Sequence, residues 1–325
     1  MVSLCRAVVP DFVLNMFGVN RSEPLAQSDR SLFIGNEGYI VVPKNPLVRG
    51  AVKIVPTYPR SFLGLSDAFH IEAQKCINMI TKVWEDEGVF DYIVFGKETT
   101  GSTFEWEVAP YAKSGMKFWK QLKVLWAITF GGTTIKTSEQ IRRVTDIQER
   151  LTAFARPIER LSGNGVECRV FCNQEIVQRQ TVFEGREVNV IYGNAPVVIG
   201  RGGDHILVVP KRPVERFSDL TESEHTEAMQ LSQRLVRFYR EEKGCSTAYV
   251  HHKTGKESGQ TFPHFVLQLI FTATKTQDIF GKLRVLRNMA FGASRISLRE
   301  LDRRVIQLRE QLHDVLSPAY TQRSY

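Results

Sequence analysis

Five cysteines in 325 residues are few, and their number is odd. They stand at Cys5, Cys76, Cys168, Cys172 and Cys245, and no Cys-x-x-Cys pair occurs. A disulfide framework is therefore not the organising principle, and a reducing, cytoplasmic setting is the expectation. Cys168 and Cys172 fall on one face of an expected strand, but a zinc site needs two further ligands. No metal and no cofactor are expected. No apolar run is long enough to span a bilayer, so no membrane partner is expected. The N-terminal stretch MVSLCRAVVPDFVLNMFGVN is interrupted by Pro10 and Asp11. It makes a poor signal or transit peptide and reads as an arm of the folded protein. Acid is in mild deficit, 35 Asp and Glu against 43 Lys and Arg, for a net charge of +8. That excess suits anionic partners such as nucleotides, phosphates or nucleic acid, and it also suits plain solubility.

What the chain does have is an internal repeat. KQLKVLWAITFGGTTIKTSEQIRRV (120–144) aligns without a gap with GKLRVLRNMAFGASRISLRELDRRV (281–305). Leu122 falls on Leu283, an offset of 161, and Arg142-Arg143-Val144 falls on Arg303-Arg304-Val305. Upstream, AVKIVPTYPRSFLGLS (51–66) resembles DHILVVPKRPVERFSDLT (204–221). Each is a strand ending in Val-Pro, followed by a run into a helix start with Ser66 or Thr221 as N-cap. Helices are expected near 67–86 and 222–243, strands at 91–96 and 247–252, then strands at 102–111 and 260–271. Charged helices close each unit near 137–155 and 297–315. The expected class is α+β: two tandem halves, 1–160 and 161–325, with antiparallel sheets and packed helices, forming an intramolecular pseudo-dimer joined near 156–166.

The stretch GQTFPHFVLQLIF (259–271) carries the most chemistry. Alternate residues of a strand share a face, so His264, Val266 and Gln268 are expected to point the same way. Placed after a Gly-bearing loop, this stretch resembles the histidine-triad (HIT) superfamily, and the opening strands resemble that family's too. The Pro before His264 and the Gln in third place look most like its tandem branch of galactose-1-phosphate uridylyltransferases and diadenosine tetraphosphate phosphorylases. That resemblance implies an orienting role for His264, a phosphate contact for Gln268, and a phosphate-side loop at Gly259 and Gln260. It places a neighbouring nucleotide contact at His252 or Lys253. It puts the attacking histidine at Val266, which has no lone pair to offer. In the first half, aligning Gly101-Ser102-Thr103-Phe104 with Gly259-Gln260-Thr261-Phe262 sets Trp106, Val108 and Pro110 against His264, Val266 and Gln268.

The expectation is therefore a catalytically degenerate protein that binds a nucleotide or phosphorylated small molecule, or acts as a scaffold for a protein partner. An active hydrolase or nucleotidyltransferase with a substitute base at His252 or His264 is the first alternative. A basic nucleic-acid-binding module built on Arg142, Arg143, Arg303 and Arg304, with Lys282, Arg284 and Arg287, is the second. Charge runs on helices are commonly solvated and paired, and Glu139 and Glu300 lie close in sequence. Glu105 and Glu107 read as the solvated face of a half-buried strand. The Arg-Gly-Gly-Asp at 201–204 reads as a tight turn.

Overall fold

The computed structural model describes residues 31–48, 50–111, 134–153, 171–197, 203–273, 288 and 293–317. The arm at 1–20, the 156–166 join, Cys168, Lys282, Arg284 and Arg287 lie outside the described residues.

Ten strands form one antiparallel sheet rather than two. They are β1 (Ser31–Ile34), β2 (Gly38–Val41), β3 (Val52–Pro56), β4 (Asp91–Thr99), β5 (Trp106–Tyr111), β6 (Thr181–Glu184), β7 (Val188–Tyr192), β8 (His205–Pro210), β9 (Cys245–Thr254) and β10 (Leu267–Ala273). Their spatial order is β1-β2-β3-β5-β4-β9-β10-β8-β7-β6. Read from either edge, the pattern is the same: three consecutive strands, then a swapped pair. The seam is the long β4–β9 ladder, which pairs Tyr92 with Thr254 through to Thr99 with Thr247.

Two long helices, α1 (Asp67–Asp86) and α4 (Glu222–Glu241), cover one face of this sheet. Three more are α2 (Thr137–Ala153), the short α3 (Gln174–Gln180) and α5 (Leu298–Leu316). The α1 and α4 starts match the sequence reading because the caps work: Ser66 Oγ accepts from Phe69 N at 3.1 Å, and Thr221 Oγ1 from Glu224 N at 3.2 Å. The main core lies under these helices and runs across both halves, from Leu32 and Phe62 to Phe265 and Leu316.

The halves repeat many of the same hydrogen bonds. Gly35 N donates to Gly38 O and Gly185 N to Val188 O; Thr57 N donates to Glu37 O and Lys211 N to Glu187 O. Glu72 accepts from the amides of Asn36, Glu37 and Gly38, and Glu227 from those of Arg186 and Glu187. Ile135 N reaches Lys44 O, and Ile296 N reaches Asn194 O.

These bonds also correct the alignment of the motif strand. Phe104 N donates to Arg60 O, and Phe265 N to Val214 O, so Phe104 matches Phe265, the same offset of 161 seen in the tail repeat. Both rings are fully buried, whereas Phe262 is 37 % exposed. The ladders agree: β5 pairs Glu107 with Lys53 and Phe95, and β10 pairs Gln268 with Leu207 and His251. In the first half the counterpart of Val266 is therefore Glu105, not Val108, and that of Gln268 is Glu107, not Pro110. Three more residues between the loop glycine and the buried Phe in the second half create the slip.

Candidate functional site

The loop between β9 and β10 is held by its own side chains. Gly255 has a positive φ of 84°, and a Cβ there would meet Asp91 Oδ1 at 1.9 Å. The Asp91 carboxylate accepts from Glu257 N, across the seam between the halves. Gln260 Oε1 accepts from Gly255 N at 2.6 Å, and its Nε2 donates to His264 O at 3.2 Å. Gly259 also has positive φ, 90°. Gly259 and Gln260 thus shape the loop, and the Gln260 amide is consumed within it.

His264 lies before the strand, which begins only at Leu267. The Pro263 entry bends the chain there: His264 N donates to Phe262 O at 2.8 Å, a turn rather than a ladder bond. The expected alternation therefore holds for Val266 and Gln268, between the buried Phe265, Leu267 and Leu269, but not for His264. Its ring is 1 % exposed, Nε2 sits 3.1 Å from Pro210 O, and Nδ1 lies 4.0 Å from Cys172 Sγ. Burial holds its pKa below the ordinary value, so it is a neutral donor to a backbone carbonyl.

His252 points into the helix-side core. Its ring stacks on Phe265 with centroids 4.2 Å apart. Nδ1 is 3.2 Å from Val266 O and Nε2 2.8 Å from Thr254 Oγ1. The arrangement fits Nδ1–H donating to the carbonyl and Nε2 accepting from the hydroxyl. Burial lowers its pKa to about 3. With both nitrogens engaged under the helices, His252 is no ligand for the opposite face.

That opposite face holds a group that sequence reasoning only half found. Gln268 on β10 stands directly across from His251 on β9. Lys253 follows two residues along β9, on the same face as His251. His205 on β8 shares it, since it pairs with Ile270 two residues from Gln268. Its ring interacts with the Gln268 side chain. Gln268 and Lys253 are half-buried, while His251 is 1 % and His205 6 % exposed. His251 Nδ1 has no hydrogen-bond partner, and His205 Nε2 has none of good geometry beyond the Gln268 side chain. Among the described residues, Lys253 has no carboxylate partner, and burial pulls its pKa down. Burial also keeps both imidazoles neutral, His205 at about 4 and His251 well below its ordinary value.

His205 and His251 were missed because each reads as an ordinary strand residue; only the register brings them to Gln268. Such a group can receive a phosphate: one ammonium, one amide, and buried neutral imidazoles behind them. No cluster of three or more metal-ligating side chains occurs among the described residues. No described helix is long and apolar enough to cross a membrane.

Elsewhere, Glu107 is not solvated: it is 7 % exposed, and burial raises its carboxyl to about 7. The repeated arginines are paired. Arg142 and Arg143 both bind Glu139, and Arg303 and Arg304 both bind Glu300.

The HIT domain family matches residues 175–267, a stretch ending one residue short of Gln268. Among solved structures, a galactose-1-phosphate uridylyltransferase-like protein from Arabidopsis thaliana superposes with a TM-score of 0.49 at 9 % identity, covering 75 % of this chain and 79 % of that one. A uridylyltransferase gives 0.48 at 11 %, covering 90 % and 93 %. An ADP-glucose phosphorylase from Arabidopsis thaliana, solved with bound ADP-glucose, gives 0.43 at 11 %, covering 73 % of each chain.

Proposed function

We propose that this chain, organised as halves 1–160 and 161–325, binds a nucleotide or another phosphorylated ligand beside Gln268 and Lys253, and does so without histidine-based nucleotidyl transfer. The observation that carries this reading is that Lys253 and Gln268 lie on one face of the sheet, backed by two buried imidazoles, of which His251 has an unpartnered Nδ1. A desolvated ammonium with no carboxylate nearby gains most from an incoming anion. The matched HIT domain supports a nucleotide as that anion's carrier.

The degenerate part rests on Val266, whose side chain cannot attack phosphorus. The substitute bases named from the sequence do not rescue it. His264 is spent on Pro210 O, and His252 on Val266 O and Thr254. Calorimetric titration with adenosine, guanosine and uridine monophosphates tests the binding. The expected result is binding that weakens about tenfold or more in Lys253→Met, the loss of one charge-assisted contact. Parallel incubation with nucleoside diphosphate sugars should leave the protein mass unchanged. Robust turnover, or a trapped nucleotidyl-enzyme, contradicts the degenerate reading.

A further inference from the structure

The pseudo-symmetric face of the first half carries a different set of residues, and this inference rests on the ligand reading above. By the corrected register, Glu107 takes the place of Gln268 and Phe95 that of His251. The Val-Pro strands, ending at Pro56 and Pro210, place Ala51 where His205 stands. Lys53, directly opposite Glu107, is bound to Glu105 at 2.6 Å, so its charge is already answered.

Glu107 also does something Gln268 does not. Its Oε1 accepts from Leu47 N at 2.6 Å, a buried bond that ties down the chain at Leu47. The matching loop amide of the second half, Val197 N, meets only His205 Nδ1, at 3.4 Å. Ala51 contributes a methyl where His205 contributes a ring. The first half thus holds an acceptor oxygen against a loop N–H, in the manner of a bound anion at a backbone amide.

We propose that Glu107 fills the first half's face with its own carboxylate, so that each chain takes one phosphorylated ligand, on the second half only. A phosphate approaching the first half would meet Glu107 and Glu105, the counterpart of Val266; of the two lysines there, Lys53 is bound to Glu105, and Lys97, the counterpart of Lys253, is exposed, with its ammonium 5.8 Å from the Tyr249 ring centroid. Like charges at that range oppose binding. Neither Phe95 nor Ala51 supplies a donor to compensate. Burial raises the Glu107 carboxyl, the Leu47 amide and Lys53 oppose that rise, and at pH 8 the group is mainly ionised.

The test is stoichiometry at pH 8, by calorimetry with adenosine, guanosine and uridine monophosphates. The expected result is one site per chain, weakened about tenfold or more in Lys253→Met and retained in Lys53→Met. In Glu107→Gln, the Leu47 amide should exchange with solvent about tenfold faster, since a charge-assisted acceptor has become neutral. Two equivalent sites overturn this inference and leave the ligand reading standing. An unchanged Leu47 exchange rate overturns it as well. Absence of binding by every nucleotide removes the ligand reading, and this inference with it. Should Glu107→Gln fail to fold, the wild-type stoichiometry alone decides.

Discussion

The two faces of the sheet treat the two halves differently. Under the helices, the halves are nearly interchangeable: Phe62 and Phe217, His70 and His225, Phe104 and Phe265, Glu72 and Glu227 occupy matching places. His70 and His225 even face each other, with ring centroids 6.5 Å apart. On the other face, Ala51 faces off against His205, Phe95 against His251, Glu105 against Val266 and Glu107 against Gln268. One face answers to packing, which both halves need equally to bury their helices. The other answers to whatever is bound there, and among the described residues it is the second half that sets a half-buried lysine without a carboxylate partner beside an amide and two buried imidazoles. Symmetry in the core and asymmetry at the site are separable properties of one sheet.

The largest effects should come from the symmetric face, and they should come in pairs. Phe104→Ala and Phe265→Ala each remove a fully buried ring, at about 3–5 kcal/mol apiece in chemical denaturation. A cost confined to one of them would break the equivalence. The buried histidines give a second shared effect. Burial lowers His70 to about 4, His225 to about 3 and His252 to about 3, from an ordinary value of 6.5. Their depressed folded-state pKa values mean that the unfolded chain binds protons first. Stability is then full above about pH 6.5 and falls progressively toward pH 3–4. Melting curves between pH 7.5 and 4.5 check this, and a flat profile counts against neutral, buried imidazoles.

The asymmetric face should show smaller effects that fall on one half only. His251→Phe copies the first half's Phe95 into the second half. It should leave folding intact and weaken nucleotide binding several-fold, because an unpartnered nitrogen backing Gln268 is lost. Equal binding by that variant would show that the imidazoles are mere filling. Smallest of all, Arg142→Gln and Arg303→Gln remove the exposed arginine on each of two matching helices and leave Glu139 and Glu300 with Arg143 and Arg304. Neither should move the unfolding midpoint measurably, since exposed ion pairs are screened.

The fold was largely legible. The Val-Pro strands, the Ser66 and Thr221 caps and the helix at 67–86 could be read directly, because each depends on residues a few positions apart. The motif strand was misread in register by three residues. Gly-x-Thr-Phe occurs in both halves, and local identity favoured Phe262 over Phe265; burial of the ring decides for Phe265. The same distinction explains the site. Gln268 and Lys253 were named from their place near a motif, and the fold puts both on one face. His252 and Lys253 were named as alternatives because the alternation fixes only that neighbours differ, not which one faces the helices, and the fold turns His252 to the helices. His205 and His251 lie far apart in sequence and meet Gln268 only through the ladders on either side of β10. Glu107 read as a solvated charge because nothing near it in sequence announces the Leu47 amide, sixty residues away.

The most direct test compares two lysines at matching positions on the two sides of the seam, Lys97 on β4 and Lys253 on β9. Nucleoside monophosphate affinity, measured by titration on wild-type, Lys97→Met and Lys253→Met proteins, separates the faces of the two halves. The account predicts a loss of about tenfold or more for Lys253→Met and no change for Lys97→Met. Equal losses from both, or none from Lys253→Met, would contradict it.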